Sequence, residues 1–211
     1  MKQHTVFKLR VFKLRSLVVW WTLFTQLCTP VLAQSLIIDK TVTGAQPVVD
    51  VVEGVPVVNI ATPDTHGVSN NAFTHFNVGP AGVVLNNGAT ESQTQLVGPV
   101  DANPLLNGNP AATILNQVTA PNPSQLSGTL EVAGQRANVI LANPAGITCS
   151  GCWFLNANRA TLSTGRPQAG LDGSISFNVA SGTILINGAG LNASGSHQAD
   201  LGAVDLLAHA I

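Results

Sequence analysis

The stretch from 138 to 146 reads Asn138-Val139-Ile140-Leu141-Ala142-Asn143-Pro144-Ala145-Gly146. Its first half is a short apolar run with β-branched residues, which favour strands. The residues of its second half favour a tight turn, because Asn tolerates left-handed backbone angles, Pro fixes φ near −65° and Gly supplies a positive φ. The stretch therefore predicts one short strand that ends in a tight corner.

The same unit recurs along the chain, and almost every apolar run ends in Asn or Gly. The runs are Val48–Val52, Val55–Ile60, Val83–Leu85, Thr129–Val132, Ser174–Val179 and Thr183–Ile186, and the corners include Asn86-Asn87-Gly88, Asn107-Gly108 and Asn187-Gly188. Two of the runs, 129–132 and 174–179, alternate polar and apolar residues, which places one face of each strand inward. No window predicts a clear helix, although 200–211 fits either a short helix or a strand. The sequence predicts an all-β fold.

Many short strands fit either a β-sandwich or a stacked β-solenoid. A sandwich core is usually rich in aromatic residues, but the chain after residue 33 has only Phe73, Phe76, Trp153, Phe154 and Phe177. A parallel β-helix stacks small aliphatic residues in layers and turns its corners with Asn, Gly, Ser and Thr. Composition favours the solenoid, although no strict sequence period is visible.

The first 33 residues have the layout of a secretory signal peptide. Five basic residues and no acid lie within the first fifteen positions, and the apolar run Leu17–Leu27 follows them. Val31-Leu32-Ala33 then predicts cleavage between Ala33 and Gln34. A membrane anchor is the alternative, but it needs about 20 apolar residues, and Gln26 and Pro30 leave this run too short.

The net charge of the chain after the leader argues against a nucleic-acid partner. From Gln34 onward the chain has four basic and ten acidic side chains, a net charge of −6. Nucleic-acid binding requires clustered Lys and Arg, so the composition predicts no nucleic-acid partner.

Six groups of residues, in order along the chain, make 36–211 resemble the secretion domain of two-partner-secretion exoproteins. They are Gly67–Phe73 with Phe76–Gly82 and Leu85-Asn86-Asn87, then Asn103–Leu106, Ile114–Val118, Leu126-Ser127-Gly128, Ile140–Thr148 and Arg159–Gly165. This family includes filamentous haemagglutinins, haemolysins and contact-dependent-inhibition toxins of Gram-negative bacteria. The resemblance implies a right-handed parallel β-helix over 34–211, behind a cleavable signal peptide at 1–33.

The resemblance also implies a function. Such a domain is the N-terminal export module of a large adhesin or toxin, and it is not an enzyme. Its partner is an outer-membrane β-barrel transporter with periplasmic POTRA domains, which passes the chain from the periplasm to the outside. The product is secreted or held on the bacterial cell surface. We expect this chain to be truncated at its C-terminal end, with any host-cell or neighbouring-cell receptor met by the missing downstream region.

Two short motifs carry the family's signature, Asn-Pro-Asn-Leu and Asn-Pro-Asn-Gly-Ile. This chain has Asn103-Pro104-Leu105-Leu106 and Asn143-Pro144-Ala145-Gly146-Ile147, so Leu105 and Ala145 replace the second Asn of each motif. The change removes a side chain that could cap a backbone group, at a cost of about 1 kcal/mol. We interpret both motifs first as turn builders and second as transporter contacts.

Cys149 and Cys152 lie close together at Cys149-Ser150-Gly151-Cys152. An exported chain passes through an oxidising periplasm, which favours a local disulfide. Several relatives in the resembled family carry a similar pair after the Asn-Pro turn. Free thiols, half of a zinc site and a redox motif remain as alternatives.

No residue pattern predicts catalysis, a cofactor or a metal site. His66, His75, His197 and His209 lack a neighbouring nucleophile motif or metal-ligand spacing. The stretch Gly188–Ala193 matches a dinucleotide fingerprint in form, but Ser194-Gly195-Ser196 would break the helix that the fingerprint requires. We interpret it as a solenoid corner. Two other functions remain open, a stand-alone surface adhesin and a carbohydrate-active β-helix enzyme.

Overall fold

A computed structural model describes residues 36–192 and 201–211. These residues form nineteen short strands and one turn of 3-10 helix, Pro104–Leu106. Within these ranges no helix is long and apolar enough to span a bilayer. The signal peptide at 1–33 and the Ala33–Gln34 cleavage point lie outside the described residues. The prediction of an all-β fold is confirmed.

Most strands belong to three sheets, of which sheets A and B have six strands each and sheet C has three. Sheet A contains, in order, β1 (Leu36–Ile38), β4 (Val68–Phe76), β8 (Thr113–Val118), β11 (Ala137–Ala142), β14 (Ala157–Ser163) and β19 (Val204–Leu207). Sheet B contains β18 (Leu191–Asn192), β13 (Cys152–Leu155), β10 (Thr129–Gly134), β5 (Val83–Asn87), β3 (Val55–Asn59) and β2 (Val48–Val52). Sheet C contains β17 (Ile184–Ile186), β12 (Ile147–Cys149) and β9 (Ser124–Leu126).

The chain visits sheets B, A and C in turn, so each circuit is one coil of a parallel β-helix. Coil 1 is β3 and β4, coil 2 is β5, β8 and β9, coil 3 is β10, β11 and β12, coil 4 is β13, β14 and β17, and coil 5 is β18 and β19. Equivalent strands of successive coils pair in parallel. The core is a column of inward aliphatic side chains, with Phe73 and Phe76 in edge-to-face contact at 5.1 Å.

The coils differ in length, which explains why the sequence shows no period. Asn138 of β11 lies beside Arg159 of β14, 21 residues later. Val68 of β4 lies beside Thr113 of β8, 45 residues later. The longer spacing arises because extra residues between two strands extend out of the β-helix. Such insertions are tolerated at corners because they do not interrupt the stacked sheets.

Two hairpins outside the coils cover apolar patches on the outer faces of the sheets. The hairpin of β6 (Ser92–Thr94) and β7 (Gly98–Val100) covers sheet B, where Val57, Val84 and Ala133 are buried beneath it. The hairpin of β15 (Arg166–Ala169) and β16 (Ile175–Asn178) covers sheet A, with Ile175 and Phe177 against Leu115 and Ile140. The predicted strand at 174–179 is therefore present, but its apolar side faces the outside of a sheet and not the central core.

The first coil is covered by strands of opposite direction. β1 pairs antiparallel with β4, and β2 pairs antiparallel with β3. Asp39, just after β1, accepts hydrogen bonds from the Thr119 hydroxyl and from the Thr41 backbone and hydroxyl. Since Thr119 follows β8, this carboxylate ties the N-terminal cap to coil 2.

Glycines stack where the chain passes from sheet B to sheet A. Gly134 has φ +75°, and a Cβ atom built there would lie 2.5 Å from the Cα of Gly88 in the coil below. Two backbones this close leave no room for a side chain at the corner. Gly108 has a similar φ of +81°, but a Cβ there would meet nothing within 4 Å.

Gly134→Ala is expected to destabilise the domain more than Gly108→Ala. Both changes carry a left-handed backbone cost of about 1 kcal/mol, and only Gly134→Ala adds a steric clash of about 2 kcal/mol. For a domain of this size the melting temperature should fall by about 9 °C and about 3 °C respectively. Thermal unfolding followed by circular dichroism measures both, and equal losses would contradict the close packing of Gly88 and Gly134.

Candidate functional site: two Asn-Pro turns

The first motif forms a turn around a buried asparagine. Asn103 is 3% exposed, and its side-chain amide donates to the carbonyls of Ile60 at 3.0 Å and Asn86 at 2.9 Å. Its Oδ1 accepts from the backbone N–H of Leu105 at 2.9 Å, which starts the 3-10 turn Pro104–Leu106. One side chain thus closes its own turn and joins coil 1 to coil 2.

The second motif repeats this arrangement. The Asn143 side chain is fully buried, and its amide donates to the Asn122 carbonyl and the Ser124 hydroxyl, both at 2.9 Å. Its Oδ1 accepts from the backbone N–H of Ala145 at 2.9 Å. Gly146, at φ +113°, donates to the carbonyl of Asn143 and completes the turn.

The two turns do not meet in one patch. The Asn103 turn lies between β7 and β8, on the corner from sheet B to sheet A. The Asn143 turn lies between β11 and β12, on the corner from sheet A to sheet C, one coil later. Neither motif contains a titratable side chain, and the asparagine of each turn bonds to backbone and hydroxyl groups, so the arrangement is suited to holding coils in place.

Leu105 and Ala145 contribute their backbone to these turns and not their side chains. In each turn the hydrogen bond to the asparagine comes from the N–H of this residue, which any residue other than proline supplies. The Leu105 and Ala145 side chains are half-buried, and Pro104 is exposed. The replacement of the second Asn therefore leaves the geometry of both turns intact.

A disulfide joins Cys149 and Cys152 at the corner from sheet C to sheet B. Both residues are buried, their Cα atoms are 5.3 Å apart, and Gly151 between them has φ +89°. The same corner is tied to its neighbours on both sides, because Ser150 donates to the Leu126 carbonyl and Gly151 donates to the Gly190 carbonyl. Among the described residues, no group of three or more His, Cys, Asp or Glu is placed to hold a metal ion.

Two acidic residues that lie close in sequence to the histidines named above, Asp64 and Asp205, have hydrogen-bond or ion-pair partners. Arg159 and Asp205 form a salt bridge of 2.7 Å between β14 and β19, and this pairing lowers the pKa of the Asp205 carboxyl. Asp64 accepts the backbone N–H groups of His66 and Val68 in an exposed turn. His197 and Asp200 lie outside the described residues.

Residues 33–209 match the family described as the TPS secretion domain. The chain belongs to this family. It is 47% identical to Toxin CdiA of Yersinia pestis over 177 residues, which is 82% of this chain and 5% of the toxin. It is 46% identical to filamentous hemagglutinin of Bordetella pertussis strain Tohama I over 157 residues, which is 74% of this chain and 4% of that protein.

A solved structure shares the fold. The crystal structure of the filamentous hemagglutinin secretion domain aligns with a TM-score of 0.73 and 43% identity, covering 83% of this chain and 55% of that one. The family and this structural match confirm the predicted β-helix and the TPS secretion domain. Another relative, 53% identical over 146 residues, is called tRNA nuclease CdiA in Escherichia coli strain STEC_O31. This chain spans about 4% to 5% of the length of these curated relatives.

Sequence reasoning missed one anchor of this secretion domain. Glu131 was predicted to face away from the core, and it does, but it is only 4% exposed. Its carboxylate accepts the backbone N–H groups of Gln95 at 2.7 Å and Leu96 at 2.9 Å, and so fastens the β6–β7 hairpin to sheet B. The available signal was a lone acid inside the apolar run Leu130–Ala133.

Asn143→Ala is expected to destabilise the domain by about 3 kcal/mol, because it leaves buried acceptors and one N–H without partners at about 1–3 kcal/mol each. Chemical denaturation with urea measures the loss. Ala145→Asn is the matched control in the same turn, and it should leave the free energy of unfolding unchanged. An equal effect of the two changes would show that the buried amide does not hold the coils.

The Asp39 tie predicts a dependence of stability on pH. Hydrogen bonds, first from Thr119 and then from Thr41, lower the pKa of the Asp39 carboxyl in the folded state. A lowered folded pKa gives stability that is present above the unfolded value of about 4 and is lost as pH falls through the folded value. In the Asp39→Asn variant, the free energy of unfolding should therefore fall less steeply as the pH is lowered below about 4.

Urea unfolding at several pH values tests this, with Asp205→Asn as a comparison. That change removes the Arg159 pair between β14 and β19 and leaves the cap untouched. If the free energy of unfolding falls as steeply with pH in Asp39→Asn as in the original chain, the Asp39 hydrogen bonds do not stabilise the cap.

Proposed function

We propose that this chain is the N-terminal export module of a longer two-partner-secretion exoprotein. Residues 1–33 act as a signal peptide that carries the chain across the inner membrane and is removed between Ala33 and Gln34. Residues 34–211 are the secretion domain. The match of 33–209 to the TPS secretion domain carries this proposal, and the small share of each relative that the chain matches, 5% of Toxin CdiA and 4% of filamentous hemagglutinin, supports it.

The proposed partner is an outer-membrane β-barrel transporter whose periplasmic POTRA domains bind the unfolded chain. The chain then passes through the barrel and folds outside, and the product is secreted or stays on the surface of a Gram-negative cell. Any receptor on a host or neighbouring cell belongs to cargo that follows this domain. The domain itself catalyses no reaction in this proposal, and the nuclease activity in the names of some relatives belongs to those whole proteins.

The direction of the hydrogen bonds supports folding that starts at the N-terminus. The amide of Asn103 donates to Ile60 and Asn86, and the amide of Asn143 donates to Asn122 and Ser124. Every one of these acceptors precedes its donor in the chain. These two corners can therefore form on residues that have already left the transporter. The corner at Asn87 differs, because its amide donates to the later residues Ala111 and Gln135 and is completed only when the following coil is added.

The motifs serve two roles in this proposal. In the folded domain the asparagines are buried and hold the coils, whereas in the unfolded chain all the motif residues are accessible to the transporter. We assign the transporter contact to Asn103–Leu106 and Asn143–Ile147 in the unfolded chain. A deletion of either motif would also remove the coil contacts, so substitutions at Leu105 and Ala145 separate recognition from folding.

Export is expected to require the transporter. The full chain, expressed in a Gram-negative host, should appear in the medium only when the transporter from its own source is co-expressed. The matched control is the same leader joined to an unrelated periplasmic protein, which should remain in the periplasm in both cases. Immunoblots of medium and periplasm give the exported fraction.

The paired substitution Leu105→Asn and Ala145→Asn restores the family's motif residues. It should raise the exported fraction, by about twofold or more if each new amide adds one hydrogen bond to the transporter, while the melting temperature stays the same. Release of the original chain without any transporter would overturn the export module. Normal release together with attachment to host cells by this domain alone would favour a stand-alone adhesin.

A further inference from the structure

The β2 strand leaves one edge of sheet B without a partner in the described part of the chain. β2 pairs only with β3, through the two-residue turn Glu53-Gly54, in which both residues have positive φ (50° and 84°). Such a turn makes Val52 and Val55 a hydrogen-bonded pair, and the bonding then alternates along the strand. Val49 and Val51 therefore direct their N–H and C=O groups away from β3.

The residue opposite Val51 supports this assignment. Val51 lies beside Pro56, which has no N–H to donate, so this pair belongs to the positions that do not bond across the hairpin. Val51 is also 61% exposed and Val48 is 45% exposed. The edge thus combines backbone groups that have no strand partner among the described residues with exposed β-branched side chains, the features of a strand that accepts another strand.

An acidic cleft lies beside this edge on the outer face of sheet B. The cleft has a volume of about 520 Å³, and its lining includes Val57 and Val100. Three carboxylates, those of Asp50, Glu91 and Asp101, line it, and its lining contains no Lys or Arg. Asp50 lies on β2 itself, so the side chain of an added strand opposite Asp50 would enter the cleft.

The charge at Asp50 selects against a second copy of this chain. Val48-Val49-Asp50-Val51-Val52 reads the same in both directions. In the antiparallel register that pairs all five residues, two copies would place Asp50 directly opposite Asp50, and like charges directly opposite each other are destabilising. A strand with Lys or Arg at that position would instead form a favourable pair.

We propose that the folded domain binds an extended, cationic peptide segment of a partner protein as an additional strand on β2. Backbone hydrogen bonds to Val49 and Val51 hold the segment, and Lys or Arg side chains on alternate positions enter the cleft at Asp50, Glu91 and Asp101. This surface exists only after folding, and it does not depend on the proposed export function.

The test measures binding of a capped peptide of alternating valine and lysine to the full chain by isothermal titration calorimetry. Val51→Pro should weaken binding about tenfold, because it removes one outward N–H and disturbs the added pairing, while the bonds to β3 remain. Asp50→Asn should weaken binding about threefold, as expected for an exposed ion pair. Asp172→Asn, an equal change of net charge on the other hairpin, should leave binding unchanged.

Two further peptides separate strand pairing from charge alone. A version of the peptide with N-methylated backbone keeps its charge but cannot pair as a strand, and it should not bind. A valine and glutamate peptide should not bind either. Equal binding to Val51→Pro and the original chain, or binding of the N-methylated peptide, would overturn the proposal.

Analytical ultracentrifugation of the original chain tests whether a second copy of the chain pairs with β2 instead. The chain is expected to remain monomeric at neutral pH. A dimer that is lost in Val51→Pro would show that the edge accepts a second copy, contrary to the proposal.

Discussion

The fold depends on how backbone groups are satisfied at the corners of each coil. Parallel strands bond to the coils above and below, but a chain that turns three times per circuit leaves N–H and C=O groups at the corners without a ladder partner, and buried backbone groups without partners are costly. Asparagine side chains supply these partners. Asn87, for example, donates to the carbonyls of Ala111 and Gln135 and accepts the N–H of Ala111.

The same solution appears at other corners and explains the composition. Asn156, in a left-handed conformation, donates to the carbonyls of Val132 and Gly134, and Asn103 and Asn143 each bridge two segments in the same way. An amide offers both a donor and an acceptor without the desolvation cost of a charge. A domain whose corners are built this way needs few ionic residues, and its narrow core needs few aromatic ones.

The parts of the fold predictable from sequence were those set by local chemistry. The run at 138–146 specifies its strand and its corner, since β propensity and the Asn-Pro-Ala-Gly turn agree there. The parts that depend on distant contacts could not be predicted. The β6–β7 hairpin is held by Glu131, which lies about 35 residues from its partners. The acids Asp50, Glu91 and Asp101 are separated in sequence and line one cleft only because the hairpin covers the outer face of the sheet to which β2 belongs. For the motifs, the turn role followed from residue type, whereas the bond from Asn143 back to Asn122 required the stacked coils.

The buried position of the motif asparagines gives the proposed export a direction. A transporter that binds Asn103 and Asn143 in the unfolded chain loses access to both when each amide turns inward to the preceding segments. Folding and transporter binding then compete for the same side chains, and a state that hides a binding site lowers the apparent affinity for its partner. Each completed coil therefore favours release on the outer side, and the free energy of folding can draw the chain outward without any other energy source.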